Sequence, residues 1–375
     1  MNGDDAAPTV GAKPLRRFWR TALGFWKGER AWLPWTLIGM LVVGVVAQIL
    51  VQYRLNIWNR DFFNALELRS GREILRQTYL LPWLAAASIA LAAFAVWGRM
   101  TFQRCWREWL TSHLLGLWLC NENYRRLDSG PGEPQLAEYR IAEDARIATD
   151  APIDLVVGLL ASVLTAATFV VVLWNVGGPL AFHAFGARLE LPGYLVFASI
   201  VYAILTTSAM MLVGGKMANV IERKNQAESE LKFAVARLRA SEPHPADGPD
   251  GGQSAPVGFA LAEVMRHWRR LCGQHVRTTL VSHGNTLLAP LVGLILCVPQ
   301  YISEAMTLGE VTQAAAAFAA VQGAFNWLVD NYPRLAEWAS SAARVGVLLF
   351  SLDLLAATPA SASARTSEDA PAETS

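Results

Sequence analysis

Behind Pro192 an uncharged run, GYLVFASIVYAILTTSAMMLVGG, passes without a proline into KMANVIERKNQAESELKFAVARLRA, and no other stretch constrains the fold as much. Between Tyr194 and Val213 there is no ionisable acid or base. About 20 such residues, at a rise of ~1.5 Å each, cross a hydrocarbon core of ~30 Å. From Lys216 the composition turns polar, yet Met217, Val220, Ile221, Ala227, Leu231, Ala234, Val235 and Leu238 keep one stripe at helical spacing. The spacing predicts a rod of ~70 Å, half in lipid and half in water, either continuous or divided where Gly214 and Gly215 let it bend. Glu228 and Lys232 stand at i,i+4 on the polar half and are expected to pair.

The chain has 375 residues, 53% of them hydrophobic and 17% charged, and its apolar runs decide its class: a polytopic, all-α membrane protein. A net charge of +1, with basic residues distributed by loop, points away from nucleic acid. Cys105, Cys120, Cys272 and Cys297 have neither CxxC nor zinc-type spacing and read as reduced thiols. The first 32 residues contain no removable signal peptide, so the first span is expected to direct insertion.

Residues 1–14 are small, polar and expected to be disordered. Residues 15–31, LRRFWRTALGFWKGERA, mix Arg and Lys with aromatics as an interfacial helix does, or as a basic flank of the first span would. Spans are expected near 32–52, 79–97, 153–175, 192–213, 280–303 and 311–329. The second is continued by a proline-free helical stretch to about residue 127, followed by a turn-rich break at 128–136. Residues 241–258, with four prolines and four glycines, read as a flexible loop, and 356–375 as a disordered tail. Pro290 and Pro299 should bend the fifth span. The sixth, rich in Ala and Gly, suits helix packing better than lipid contact. Six basic residues precede the first span, seven lie between spans two and three and ten between four and five, against Arg188 alone between three and four and none between five and six. This distribution places both termini in the cytoplasm, with the arginine-rich first connector as the exception.

No GxxxxGK[ST] loop occurs: GGK at 214–216 lacks the upstream glycine and the following Ser or Thr. The six histidines form neither HExxH nor metal spacing, and no GxSxG is present, so the sequence predicts no enzyme activity, metal or cofactor in this chain. Acidic residues remain at span ends: Asp154, Glu190, Glu304, Glu310 and Asp330. Each is either a solvated end cap or a carboxylate facing a cavity. Glu304 and Glu310, whose loop has no basic partner, are the candidate proton carriers.

Four strings, NIWNRDFFNAL (56–66), WREWLTSHLLGLWLCNENYRRL (106–127), RIAEDARIATD (140–150) and AESELKFAVARLRASE (227–242), resemble the transmembrane part of bacterial ABC transporters of the YddA type, which are related to peroxisomal fatty-acyl exporters and to SbmA/BacA peptide transporters. The resemblance covers residues 15–352. It implies an exporter-like domain of six long helices acting as a homodimer in the bacterial inner membrane. It also implies a surface near Arg140, Glu143, Asp144, Arg146, Arg237, Arg239 and Glu242 where a separate ATPase would dock. After LRASE the family continues with a short helical motif containing an aromatic and a glycine, whereas this chain reads PHPADGPDGGQSAPVG, and the sixth span is expected to lead into a tail rather than a nucleotide-binding domain. The expected function is that of a permease for a peptide or other bulky solute. The alternatives are an SbmA/BacA-like proton-driven transporter and a non-transporting scaffold.

Overall fold

In the computed structural model, residues 12–28, 31–128, 137–184, 187–240 and 255–357 are described. The elements in order are α1 (Ala12–Lys27), α2 (Trp32–Glu67), α3 (Gly71–Leu119), a 3-10 turn (Cys120–Glu122), α4 (Asn123–Asp128), α5 (Ala137–Tyr139), a π-helical turn (Arg140–Asp144), α6 (Ala145–Gly177), β1 (Pro179–Ala184), β2 (Ala187–Pro192), α7 (Tyr194–Gly214), α8 (Met217–Ala240), α9 (Ala255–Ile302) and α10 (Leu308–Ala357). Six helical stretches are long and apolar enough to span a membrane, and they coincide with the six expected spans. The chain is an all-α, multi-pass membrane protein, and among the described residues one hairpin departs from helix.

That exception is the antiparallel hairpin β1–β2, in register from Pro179 opposite Pro192 to Ala184 opposite Ala187. Its signal was present as alternation in ARLEL, but a stretch this short between two spans reads equally as an irregular loop. Helix boundaries also lie further out than apolar content suggests. α2 runs to Glu67 and α3 starts at Gly71, so the first connector is helical except for a tight turn in which Arg69 takes a φ of 51°. The polar, aromatic residues of that connector have helical spacing and no proline, which lets the backbone bonds continue beyond the apolar run. α9 begins at Ala255, so the end of the expected 241–258 loop is helical. Residues 241–254, like 1–11, 129–136 and 358–375, lie outside the described residues.

The fourth helix divides at the glycine pair. Gly215 still donates its N–H to the Met211 carbonyl at 2.8 Å, and Val220 donates to the Lys216 carbonyl at 3.1 Å, so only the short turn Gly215–Lys216 separates α7 from α8. α9 accommodates Pro290 and Pro299 within one helix.

The chain forms two compact units: residues up to Leu55 with Thr78–Leu164 and residues from Asn331, and Asn56–Gln77 with Thr165–Asp330. In the first unit, α1 turns Phe18, Ala22 and Phe25 into a core with Phe102, Trp106, Leu110 and Leu114 of α3 and Leu348, Leu349 and Leu352 of α10. The α1 residues recur at i, i+4 and i+7, the spacing of a single helix face. In the second unit the core joins Phe169 and Leu173 of α6, Leu195 of α7, Ala289 and Cys297 of α9, and Ala314, Ala317, Phe318 and Val321 of α10. The apolar window of α10 is 39% buried, the largest share of the six, whereas that of α3 is 0% buried. The small residues of the sixth span thus serve helix packing, as their composition implies.

Candidate functional site

The string 140–150 folds as the π-helical turn and the first residues of α6. A π-turn widens the helix by one residue, and such turns recur at functional sites. Here it brings Asp144 inward, fully buried, to face Arg344 of α10. Arg344 donates from Nη2 to Asp144 Oδ1 at 2.6 Å and from Nε to Oδ2 at 2.9 Å, a two-pronged clip. Ser340 and Ser341 accept two more guanidinium bonds, at 2.6 and 2.8 Å. The bond to Asp144 raises the Arg344 pKa further above its usual value.

Two residues after Asp144, Arg146 donates to Glu143 at 2.5 and 3.2 Å, and its other arm stands 3.9 Å from Asp150. The bond from Arg146 holds the Glu143 carboxyl below its usual pKa, while burial pushes Asp150 above its own. Gln103 of α3 donates to the Asp150 carbonyl and to Asp154 Oδ1, both at 2.9 Å. Asp154 also pairs with Arg99 at 3.2 Å and with Arg334 at 2.7 Å. Asp144 at the end of the π-helical turn and Asp154 on α6 therefore meet Arg344 and Arg334 on α10, ten residues apart on each side and running in opposite directions. Two clips at that spacing, ~15 Å apart along the helix, fix a single antiparallel register. Arg99, Gln103 and Arg107 lie on one stripe of α3 facing the same acids.

Of the sequence-predicted residues, Arg140, Glu143, Asp144 and Arg146 fall in this one segment. Arg140 has its Nε–H buried without an acceptor among the described residues. Arg237 is exposed on α8, in the second unit. Arg239 ends the same helix, and Glu242 lies outside the described residues. Glu228 accepts from Lys224 at 2.9 Å, the pair one turn N-terminal to the expected one with Lys232, and the Lys224 ammonium sits 5.1 Å from the Trp268 ring of α9. This Lys224 bond lowers the Glu228 pKa.

Glu304 and Glu310 take other positions. Glu304 is exposed in the turn after α9 with a φ of 57°. Glu310 closes a capping box at the start of α10: its Oε2 accepts from Thr307 N–H at 2.9 Å, and Thr307 Oγ1 accepts from Glu310 N–H at 3.2 Å. The sequence TLGE carries this signature. Since Gln also fills such a box, Glu310→Gln should change stability by less than about 0.5 kcal/mol, whereas Glu310→Ala should cost about 1 kcal/mol. Thermal denaturation of the two variants in detergent distinguishes them.

The same helix start explains NIWNRDFFNAL. Asn56, Arg60 and Asn64 recur every four residues on α2 and form a clasp around the α10 N-terminus. Asn56 donates to the Gln313 carbonyl at 3.1 Å, Asn64 Oδ1 accepts from Gly309 N–H at 2.9 Å, and Glu67 accepts from Leu308 N–H at 3.1 Å. Gly309 sits so close that a Cβ there would collide with the Arg60 carbonyl oxygen. Two of the orphan donors of α10 are thus satisfied by another helix.

A family model for ABC transporter transmembrane region 2 matches residues 27–243, more than half of the chain. The chain belongs to the ABC transporter transmembrane region 2 family. It is similar to the inner membrane ABC transporter ATP-binding protein YddA of Escherichia coli, with 25% identity over 308 residues covering 80% of this chain and 55% of that protein. An uncharacterized ABC transporter ATP-binding protein of Synechocystis is 22% identical over 334 residues, 87% of this chain and 48% of the relative. The chloroplastic ABC transporter D family member 2 of Arabidopsis thaliana is 17% identical over 334 residues, 88% and 45% respectively. The chain spans about half the length of these curated relatives. Membership in the ABC transmembrane family makes it a membrane transporter component, and the family match takes in the clasp helix α2, the 140–150 segment and α8.

Proposed function

We propose that two copies of this chain form the membrane pathway of an ABC-type transporter that moves a peptide or other bulky solute across the bacterial inner membrane, driven by a P-loop ATPase. The family match carries the transporter reading. The pairing rests on α8 and α9. These helices pack on one another through Lys224 and Trp268, yet leave Phe233, Phe259 and Val276 68 to 76% exposed where the composition is polar. Large apolar residues left on a polar helix pair call for cover, and a second copy supplies it symmetrically. The 140–150 segment, with its π-turn and its charged outward residues Glu143 and Arg146, is the reading's docking surface for the ATPase. The names of the relatives, ATP-binding proteins about twice as long, support an ATPase working with such a helical half.

The test is uptake of a panel of labelled peptides into inverted membrane vesicles containing the protein. Saturable uptake that requires ATP, and that falls at least tenfold when Glu143 and Arg146 are both reversed in charge while the chain remains folded, is the expected result. Uptake that follows an imposed proton gradient and ignores ATP contradicts the ATPase-driven reading. Absence of saturable uptake for every solute contradicts transport.

A further inference from the structure

We propose that α1 carries a binding surface for anionic phospholipid headgroups on the side opposite its core-facing residues. The helix reads AKPLRRFWRTALGFWK, with five basic residues and no acid. Its two faces do different things. Phe18, Ala22 and Phe25 are buried against α3 and α10, with Phe25 stacked on Trp106 at 6.2 Å. Arg17 is committed to Asp353 near the end of α10.

The opposite stripe, Arg16, Trp19, Arg20, Leu23 and Lys27, is exposed at spacings of three and four residues. It alternates basic and large apolar side chains: Trp19 is 40% and Leu23 47% exposed, although the chain has a core beside them able to take apolar groups. No described residue pairs Arg16, Arg20 or Lys27. A stripe of this kind suits neither bulk water, which disfavours Trp and Leu, nor a hydrocarbon core, which disfavours Arg. It suits the headgroup layer, where the apolar members enter the acyl boundary and the guanidinium groups meet phosphate. The depth is set by continuity: five residues beyond Lys27, Trp32 opens the first span, and Trp32 and Trp35 are 67% and 62% exposed at its start, as in an aromatic belt. Charge complementarity selects anionic over zwitterionic lipid.

α1 is also mechanically tied. Trp19 meets Trp338 of α10 edge-on at 6.0 Å, and Arg17 holds Asp353, so lipid engagement on one face is transmitted to the last helix through the other. The surface stands independently of the solute carried.

The experiment is native mass spectrometry of the full chain purified from mixed micelles holding equal amounts of phosphatidylglycerol and phosphatidylcholine. Each basic side chain near an anionic surface favours binding about fivefold, so the unmodified chain should retain phosphatidylglycerol over phosphatidylcholine by at least about tenfold. The R16Q/R20Q/K27Q variant should fall towards parity, and R16K/R20K should keep the preference. A triple variant with unchanged preference overturns the proposal, as does an unmodified chain with none. A second reading avoids charge removal: with the four cysteines replaced and Leu23→Cys carrying a nitroxide, accessibility to a water-borne relaxant should fall when phosphatidylglycerol vesicles replace phosphatidylcholine. Equal accessibility in both overturns it.

Discussion

Arg344→Met should lower stability by about 3 kcal/mol and drop the thermal midpoint by several degrees. The cause is what it leaves behind. The Asp144 side chain is only 1% exposed, and without Arg344 its carboxylate would stay buried with no cation beside it, a situation that costs about 3–5 kcal/mol. The lower end applies because Arg344 is itself 43% exposed, so water already screens part of the pair. The double variant D144N/R344M should recover most of the loss, since the uncompensated charge is gone. Recovery in the double variant measures the coupling directly. Equal losses in the single and double variants would show that packing around Arg344, and not its charge, is what matters.

Gly309→Ala should destabilise by roughly 3 kcal/mol, the upper part of the range for overpacking. The added methyl meets backbone, the Arg60 carbonyl, which cannot rotate away as a long side chain could. Relieving the collision must move α10 off α2. That movement also breaks the Asn64 bond to Gly309 N–H and the Glu67 bond to Leu308 N–H, returning two helix donors to an unsatisfied state. Gly323→Ala on the same helix is the control: nothing lies within 4 Å of its added Cβ, and alanine is the better helix former there. The Gly323 variant should therefore match or exceed the unmodified chain in thermal midpoint while the Gly309 variant falls well below it.

These two sites show what the sequence does and does not disclose. The six spans were legible because solvation in a bilayer imposes a long uncharged run wherever the chain crosses it. Whether the fourth helix is continuous or divides at Gly214 and Gly215 was left open by the residues alone; the division falls there. The distant partners were not. Asp144 stood inside a recognised string, but which residue would meet it depended on how α6 and α10 lie against each other. The ten-residue spacing shared by Asp144 and Asp154 with Arg344 and Arg334 becomes informative only once an antiparallel register is known. Gly309 likewise falls between the expected fifth and sixth spans, and nothing along the chain marks its contact with Arg60. TLGE does announce a helix start, where the capping-box pattern gives Glu310 a structural task. Glu228 pairs with Lys224 instead of Lys232 because Trp268 on α9 draws the Lys224 ammonium to that side, a tertiary preference that i,i+4 reasoning along one helix does not contain.

The clips also bear on how such a unit would move. With Asp144 to Arg344 and Asp154 to Arg334 both closed, sliding α10 by one turn along α6 breaks both at once and brings Arg344 towards Arg140. The paired segments therefore move as one body within their unit, and the 140–150 surface stays fixed to the last helix.

The most direct measurement is the mass of the assembly extracted from native membranes in mild detergent. Two copies of the chain together with a P-loop ATPase in stoichiometric amount is the predicted result. A particle containing one copy, or a pair with no ATPase, would contradict the central claim that this chain is the paired membrane pathway of an ATP-driven transporter.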